Sequence, residues 1–541
     1  MKKTFFLILT ISALLNAEIT LKDISSKPTS RAKDFMIWQY MKQDITASKL
    51  EKAYSQIETN SYKLNKIYLK KTKNKKVRKN NSCKNRKDLL EIKDSKCLEQ
   101  AITPYKTLVY NNKQRLELIK KITKESTKNL LMIQNEPYNE EMFKKYNSNT
   151  ILTALLNTTS KHRAKNLNIN FSSEFINSLS SSSKISQLVR IVVFDKKLDK
   201  LQTSFLNLNG KNLDSKTNFL LALNHLKHNS ENGAIKHFQL AKDKARRQMN
   251  IDKNNFWLYK LTNKKTYLDD LLLSMDINIY TIYAKEISKI KISNYFSVLS
   301  YVDGKNKKDI TNPFDWRLIL KEIKSTPKEK LFELAKSYNQ KEMLSVQAFI
   351  KEKAFSFKYH GYIMPYDKYL VGLTNDEKAL VYSLMRQESN LIPSALSRSY
   401  ALGLMQLMPF LTDAISKNIK NPIKTYSEMF IPKNNIRYAL AHIKWMEKSL
   451  YHPLFMAYAY NGGMGFFKRH LLNTKAFSKG KYEPYLSMEF IQNIESREYG
   501  KKVLANYIIY KKILKEDVSI VSLLEKTLDP KMSDRFRVFK N

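Results

Sequence analysis

Glycine and proline are scarce in this chain, and their scarcity limits what the chain can fold into. Only 11 Gly and 13 Pro occur among its 541 residues. Sheets and long loops use both residues heavily in turns, so the sequence predicts long helices joined by short connections. Hydrophobic residues make up 43% of the chain, which is enough to bury sizeable cores. A chain of this length is expected to form roughly two to four domains.

The segment from about residue 32 to residue 320 has the pattern of successive amphipathic helices. The apolar run in residues 219–226 is followed by a turn-like break, after which Ala234, Phe238 and Ala241 recur at helical spacing. Two helices joined in this way resemble one unit of an α-solenoid, although the segment has no strict repeat period. We therefore predict an all-α protein whose first domain is a helical superhelix.

The first 17 residues have the pattern of a secretory signal peptide. Met1-Lys2-Lys3 supplies positive charge, residues 5–15 are almost wholly apolar, and Leu15-Asn16-Ala17 offers a cleavage site. The apolar run is short for a bilayer span, which favours a cleaved signal over the alternative of a permanent membrane anchor. The sequence therefore predicts a soluble, exported protein located in the periplasm.

The formal net charge of the chain is +45. A basic surface can bind nucleic acid, anionic lipid or an acidic polymer such as peptidoglycan. A Lys-rich composition spread over solvated helix faces accounts for the same charge equally well, so charge alone selects no partner. Nucleic acid as a partner conflicts with the predicted export, and none is expected.

The chain has two cysteines, Cys83 and Cys97. In an oxidising compartment they are predicted to form a structural disulfide, which would stabilise its loop by about 3 kcal/mol. Two cysteines without nearby paired histidines do not make a zinc site, so no metal is expected.

A capping box at Thr374–Glu377 predicts a helix that runs to about Ser389. On this helix Glu388 falls on the same stripe as Leu380 and Leu384. A carboxylate on a core-facing stripe is unfavourable unless it is protonated, hydrogen-bonded or functional. Burial raises the pKa of a glutamate, and a general acid at neutral pH requires that change. Taken alone, a Glu that turns to solvent at a helix end explains the pattern more simply.

Four sequence blocks between residues 388 and 499 change that interpretation. The blocks are Glu388-Ser389 with Ser397 and Gly403-Leu404-Met405-Gln406-Leu407-Met408-Pro409; Asn435-Ile436 with Trp445; Ala459-Tyr460-Asn461-Gly462-Gly463; and Glu489-Phe490-Ile491 with Glu495-Ser496-Arg497 and Tyr499. In this order they resemble the soluble lytic murein transglycosylases, whose catalytic domain has a goose-type lysozyme-like fold.

The sequence departs from the family pattern at several positions. They are Tyr400 for Gly, Ala439 for Gly, Gly462 for Ala, Gln492 for Pro, and a Thr displaced to Thr412. Tyr400 is the most consequential of these, because a bulky side chain beside the cleft would narrow a sugar subsite. None of the departures removes Glu388.

The resemblance implies an enzyme that cleaves the bond between N-acetylmuramic acid and N-acetylglucosamine in peptidoglycan and leaves 1,6-anhydro ends. Glu388 would act as the catalytic acid and then as the base, without a cofactor. Glu489 is expected to border the cleft, with a capping or surface role as an equal alternative. Peptidoglycan strands are the expected partner, and proteins of cell-wall synthesis or remodelling are further candidates. The substrate contacts implied by the resemblance are Ser397, Gln406, Met408, Tyr460, Asn461 and Glu489.

The resemblance also extends to residues 255–283, which look similar to helices of the family's ring- or horseshoe-shaped superhelix. The main change in composition falls near residue 370, next to Pro365 and Gly372. The predicted division is a signal peptide at 1–17, a helical superhelix at 18–325, connecting helices at 326–370, a mainly helical lysozyme-like transglycosylase domain at 371–515 and a C-terminal tail at 516–541.

Two other functions remain open on the sequence alone. A hydrolytic muramidase on the same fold would need a second carboxylate to hold a water, and Glu489 and Asp413 are the candidates. A non-catalytic peptidoglycan-binding scaffold would act through the helical segment. Nucleotide-binding and serine-hydrolase chemistry are disfavoured, because the chain has neither a phosphate-loop context nor a Gly-x-Ser-x-Gly elbow.

Overall fold

The computed structural model describes residues 19–72 and 83–538. Helices dominate these residues, and the strands named among them are one parallel pair, Tyr295–Phe296 with His360–Gly361. The predicted all-α class is therefore confirmed. The predicted signal peptide lies outside the described residues. None of the helices in those two ranges combines the length and the apolar character needed to cross a membrane.

The described chain separates into two compact units, and neither is continuous in sequence. The first unit comprises the described parts of Met1–Lys73, Ile292–Lys475 and Glu498–Asn541, and the second comprises those of Asn74–Lys291 and Ala476–Arg497. These divisions differ from the predicted linear boundaries near residues 325 and 370. The physical reason is that the first helices of the chain pack against residues of its C-terminal half.

Helices of the second unit pack against their neighbours in sequence. Ser215–Lys227 contacts Glu231–Asp243, which in turn contacts Gln248–Thr262. The rings of Phe238 and Trp257 stack between the last two, with centroids 5.7 Å apart. This arrangement is that of the predicted helix pairs. The other helices of this unit are Ser95–Ala101, Pro104–Thr107, Asn112–Lys121, Glu125–Ile133, Glu140–Lys144, Ser148–Leu156, Ser160–Asn166, Ser173–Ser178, Ile185–Phe194, Asp199–Ser204, Lys265–Leu273, Ile279–Ile287 and Tyr485–Glu489, with 3-10 turns at Leu179–Ser181 and Phe205–Asn207.

Two long-range features stabilise the second unit. A disulfide joins Cys83 and Cys97, whose Cα atoms are 5.2 Å apart. The segment that returns to this unit near the end of the chain places Tyr485 against Phe256, with ring centroids 4.8 Å apart. Both features connect parts of the chain that helix periodicity alone leaves unrelated.

The first unit is built from helices of three separate chain segments. Its N-terminal helices are Leu21–Ser25, Arg31–Tyr40, Ala47–Tyr54 and Tyr62–Thr72. Its middle helices are Pro313–Ser325, Leu331–Lys336, Leu344–Ala354, Asn375–Ser389, Pro409–Ser416, Pro432–Glu447, Pro453–Gly462 and Met464–Thr474, with 3-10 turns at Lys328–Lys330, Lys341–Met343, Asp367–Tyr369 and Tyr426–Phe430. Its C-terminal helices are Ile494–Ile513, which begins four residues before the unit boundary, Ile520–Glu525, Pro530–Ser533 and Arg535–Val538, with a 3-10 turn at Lys526–Leu528.

A buried ion pair fixes the helix Asn375–Ser389 within the first unit. Arg386 on this helix donates from Nη2 to Glu352 at 2.7 Å and from Nη1 to the carbonyl of Gly361. Its guanidinium also lies 4.2 Å from the centroid of the Tyr362 ring. These contacts hold the C-terminal end of the helix, where Glu388 lies.

Candidate active site

Glu388 lies in the last turn of the helix Asn375–Ser389, which confirms the predicted helix. Thr374 and Glu377 form the predicted capping box at its start, and Asn390 ends it in the left-handed conformation with φ of 51°. Glu388 itself is half-buried. The carboxylate is therefore neither lost in the core nor exposed to bulk solvent.

Two tyrosines, the buried Tyr499 and the half-buried Tyr460, lie next to Glu388. Tyr499 on the helix Ile494–Ile513 donates a hydrogen bond from its hydroxyl to Glu388 Oε1 at 2.7 Å. Burial raises the pKa of Tyr499 and of Tyr460 well above the ordinary value, and the negative charge of Glu388 raises both further. Both phenols therefore stay protonated at physiological pH and remain hydrogen-bond donors beside the carboxylate.

A glycine allows the two helices that carry these tyrosines to approach each other. Gly500 directly follows Tyr499, and a Cβ atom at this position would lie 2.2 Å from the ring of Tyr458. Tyr458 lies two residues before Tyr460 on the helix Pro453–Gly462. The close contact at Gly500 thus helps to bring both phenols to the same carboxylate.

Ser397 and Gln406, two of the predicted substrate contacts, lie in one tight loop. Ser397 Oγ accepts hydrogen bonds from the amides of Ser399 at 3.2 Å and Ala401 at 2.9 Å. Gln406 has a φ of +46°, and its Nε2 donates to the carbonyls of Ala395 at 3.0 Å and Gly403 at 2.8 Å. Both side chains are half-buried. Each is therefore held in place by its own loop.

The loop is tied to the helix Pro432–Glu447 through Asn435. Asn435 donates to the carbonyls of Leu402 and Met429 at 2.9 Å each and accepts from the amide of Met405 at 2.8 Å. Gly403 has φ of +72°, and a Cβ there would lie 2.3 Å from the Met429 carbonyl oxygen. This position therefore requires glycine.

Tyr460 connects this loop to the carboxylate of Glu388. Its hydroxyl donates to the carbonyl oxygen of Met405 at 2.7 Å, and its pKa responds to the charge of Glu388. The structure thus brings Tyr460 and Glu388 together and joins them to the loop that carries Gln406. Met408, at the start of the helix Pro409–Ser416, is half-buried.

Asn461 and Glu489 occupy different environments. Asn461 is half-buried in the last turn of the helix Pro453–Gly462. Glu489 belongs to the second unit, is 1% exposed and accepts a hydrogen bond from Tyr280 at 2.7 Å. Its backbone carbonyl also accepts from Arg497. The Glu489 side chain is thus buried and hydrogen-bonded within the second unit.

Tyr400, which could have narrowed a sugar subsite, is buried away from solvent. Its side chain is 2% exposed and packs against Phe35 and Trp38 of the helix Arg31–Tyr40, with ring centroids at 5.3 and 5.5 Å. It therefore does not narrow a sugar subsite. The partners of this ring lie more than 300 residues earlier in the chain, so no local pattern indicated them.

Tyr499 is the residue of the site that sequence reasoning missed. In the sequence it is only the last position of the fourth block, and the pattern assigns no role to it. Helical spacing on its own helix could not identify Glu388 as the acceptor of its hydrogen bond, because Glu388 lies 111 residues earlier. The one signal that could have identified Tyr499 was its place in the fourth block, since that block accompanies the three others that carry the candidate site.

The comparisons with known proteins agree with this site. Residues 373–483 match the model of the family described as the transglycosylase SLT domain. A protein of Haemophilus influenzae whose name assigns it to the soluble lytic murein transglycosylases is 31% identical over 213 residues. That alignment covers 38% of this chain and 35% of the relative, so the chain matches well under half of the relative's length.

Two solved structures were also compared with the chain. The lytic transglycosylase Slt of Pseudomonas aeruginosa, in an inactive mutant form, has 13% identity and a TM-score of 0.48 over 92% of this chain and 84% of its own. The 70 kDa soluble lytic transglycosylase of Escherichia coli has 15% identity and a TM-score of 0.49 over 94% of this chain and 84% of its own. The family resemblance rests on the domain match and on the sequence relative. Residues 373–483 of this chain match the transglycosylase SLT domain, and the chain is similar in part to a protein named as a soluble lytic murein transglycosylase.

Proposed function

We propose that this protein is an exported lytic transglycosylase that cleaves the bond between N-acetylmuramic acid and N-acetylglucosamine in peptidoglycan. One observation carries the proposal. Glu388, in the segment that matches the transglycosylase SLT domain, is half-buried and accepts a hydrogen bond from a buried tyrosine, Tyr499. A carboxyl group in such a place can donate a proton and later accept one.

In the first step, Glu388 donates its proton to the glycosidic oxygen, and the bond from that oxygen to the anomeric carbon of the muramic acid breaks. The glutamate becomes a carboxylate as the proton leaves. Tyr499 already donates to Oε1 at 2.7 Å, and a hydrogen bond to a charged acceptor is stronger than one to a neutral acceptor. The phenol therefore stabilises the carboxylate as its charge develops.

In the second step, the sugar supplies its own nucleophile. The 6-hydroxyl of the muramic acid attacks the anomeric carbon, and the carboxylate of Glu388 accepts the hydroxyl proton. The products are a 1,6-anhydro end and a free 4-hydroxyl on the leaving sugar, and no water is consumed. Two groups on one ring react with a high effective concentration, which reduces the need for a second protein carboxylate.

The other two candidate carboxylates already accept hydrogen bonds from tyrosine hydroxyls, which supports this one-glutamate scheme over hydrolysis. Asp413 accepts from the hydroxyl of Tyr426 with both of its oxygens, at 2.7 and 2.8 Å. Glu489 is 1% exposed and accepts a hydrogen bond from Tyr280 at 2.7 Å. A hydrolytic muramidase would need one of them beside Glu388 to hold a water.

Substrate contacts follow from the same site. We assign polar contacts with the sugar to Ser397 and Gln406, an apolar contact to Met408, and positioning of the saccharide or of Glu388 to Tyr460. Asn461 would shape the loop that follows Tyr460. Export through the predicted signal peptide would place the enzyme in the periplasm with its substrate, where proteins of cell-wall synthesis or remodelling are candidate partners.

Product analysis of purified peptidoglycan tests this function. Wild type and Glu388→Gln are incubated with sacculi, and the soluble products are identified by mass spectrometry. Glu377→Gln is the matched control, because it lies on the same helix and glutamine keeps the capping-box geometry. We expect anhydro-ended products from wild type and from the control, and none from Glu388→Gln.

Each other outcome has a distinct meaning. Reducing ends would replace the transglycosylase by a hydrolytic muramidase. Binding of wild type to sacculi without cleavage would favour a non-catalytic scaffold. Cleavage retained in Glu388→Gln would refute the assignment of the catalytic residue. Fractionation of cells tests periplasmic localisation separately.

A further inference from the structure

Tyr400 has an unfavourable backbone conformation and an almost fully enclosed ring. Its φ is +61°, where the Cβ atom of an ordinary residue crowds its own backbone. Only 2% of the residue is exposed. A residue other than glycine persists in this conformation only when its surroundings hold it there. The contacts of the Tyr400 ring must therefore hold the residue in this conformation.

These contacts come from the N-terminal segment, defined here as residues 19–72. Phe35 and Trp38 lie 5.3 and 5.5 Å from Tyr400 between ring centroids, within the range of favourable aromatic pairs. The ammonium group of Lys63 lies 5.5 Å from the centroid of the same ring. The Tyr400 hydroxyl donates to the carbonyl of Asp34 at 3.5 Å and is also hydrogen-bonded to the side chain of Ser61. The ring and the hydroxyl therefore both attach Tyr400 to this segment.

The N-terminal segment also binds the backbone beside Tyr400. Lys63 Nζ donates to the carbonyl of Ser399 at 2.6 Å. Arg31 Nη1 donates to the carbonyl of Leu396 at 3.0 Å. The turn 396–400 is thus held at both of its ends and through the ring at its last residue.

This turn determines the position of Ser397. Ser397 Oγ accepts from the amides of Ser399 and Ala401, and the Ser397 amide donates to the Ala401 carbonyl at 3.1 Å. A shift of Tyr400, which lies between those two partners, must therefore move the Ser397 hydroxyl. Gln406 is coupled to the same turn through its bond to the Ala395 carbonyl.

We propose that Tyr400 is a positioning residue through which the N-terminal segment fixes the loop that presents Ser397 and Gln406 to the glycan. The inference rests on the proposed function, because it assumes that this loop binds substrate. A misplacement of about 1 Å in such a loop can reduce a rate about 100-fold. The N-terminal segment would then be part of the catalytic machinery in space, although it lies far from it in sequence.

The first experiment compares Tyr400→Ala with Tyr400→Phe in the full chain. The control is Leu524→Ala, which removes a 1% exposed side chain from the same unit outside the loop. At a temperature where all variants are folded, we expect kcat/KM of Tyr400→Ala to fall about tenfold to 100-fold. We expect Tyr400→Phe, which keeps the ring and loses only the hydroxyl, to lose less activity than Tyr400→Ala, and Leu524→Ala to stay within about twofold of wild type.

A second variant covers the case in which Tyr400→Ala does not fold. Lys63→Met removes the bond to the Ser399 carbonyl without opening the core. We expect it to lower kcat/KM about threefold to tenfold, the effect of one lost hydrogen bond. If the folded Tyr400→Ala variant, or Lys63→Met in its place, is as active as wild type, the proposal is overturned. The same holds if Tyr400→Ala and Leu524→Ala lose equal activity.

Hydrogen exchange separates this proposal from the proposed function. We expect the amides of residues 395–406 to exchange faster in Tyr400→Ala than in wild type, and to be unchanged in Leu524→Ala. If wild type cleaves no peptidoglycan, the proposed function fails, but faster exchange would still support the anchoring of the loop. Unchanged exchange in Tyr400→Ala would overturn the anchoring whatever the activity.

Discussion

The hydrogen bond from Tyr499 to Glu388 allows the effect of one substitution on the reaction rate to be calculated. Tyr499→Phe removes one hydroxyl and leaves a ring that is 6% exposed in place. The bond is 2.7 Å long and its acceptor is a carboxylate, so its loss should cost about 1.5–3 kcal/mol. Since about 1.4 kcal/mol corresponds to tenfold in rate, kcat/KM should fall about tenfold to 150-fold.

The pH dependence gives a second signature of the same bond. Without the phenol, the deprotonated form of Glu388 loses its donor and becomes less stable relative to the protonated form. The alkaline limb of the kcat/KM profile should therefore move to higher pH in Tyr499→Phe. The limb should contain no contribution from Tyr499 ionisation in wild type, because burial and the charge of Glu388 hold the pKa of that phenol well above its ordinary value.

Tyr507→Phe is the matched control for this experiment. Tyr507 lies on the same helix, is also 6% exposed and donates to a carboxylate, Asp376, at 2.6 Å. Asp376 takes no part in the proposed reaction, so kcat/KM should stay within about threefold of wild type. Release of anhydro-ended products from purified glycan strands is the assay. If both phenylalanine variants lose the same activity, the bond to Glu388 has no special role and the reasoning fails.

Three further predictions concern stability. Burial lowers the pKa of His452 from its ordinary value of about 6.5 to about 4, so the unfolded chain binds the proton more tightly. The contribution of His452 to stability is therefore fully present above pH 6.5 and is lost as the pH falls toward 4. In urea unfolding, wild type should lose about 3 kcal/mol over this range that His452→Gln does not lose. Replacing Cys83 and Cys97 by serine should cost about 3 kcal/mol in the second unit without changing kcat/KM, and unfolding with and without reductant checks this. Glu352→Gln leaves Arg386 buried without its charge partner and should cost about 3–5 kcal/mol, seen as a lower melting temperature.

The sequence predicted those parts of the structure that local patterns determine. The helix Asn375–Ser389 was predicted from its capping box, because Thr374 and Glu377 satisfy the first amides whatever surrounds them. The all-α class followed from composition and helical spacing in the same way. Even the half-burial of Glu388 follows from its place on the apolar stripe of that helix.

Local patterns could not predict contacts between segments that are far apart in sequence. The partners of Tyr400 come from the first helices of the chain, and the donor to Glu388 lies 111 residues after it. Glu489, for which a cleft role and a capping or surface role were equal alternatives, accepts a hydrogen bond from Tyr280, 209 residues earlier. In each case the side chain was noted, and its partner was not, because periodicity reports only which face of an element is buried.

The first unit is assembled from three separate segments of the chain, so its extent differs from the linear domain boundaries predicted from the sequence. The family match ends at residue 483, yet Tyr499 completes the environment of Glu388 from beyond it. The tail that followed no known pattern also belongs to this unit, since His452 bonds through Nε2 to the carbonyl of Leu523 at 2.8 Å. A catalytic site needs rigid support on all sides, and that support can come from any segment that reaches it.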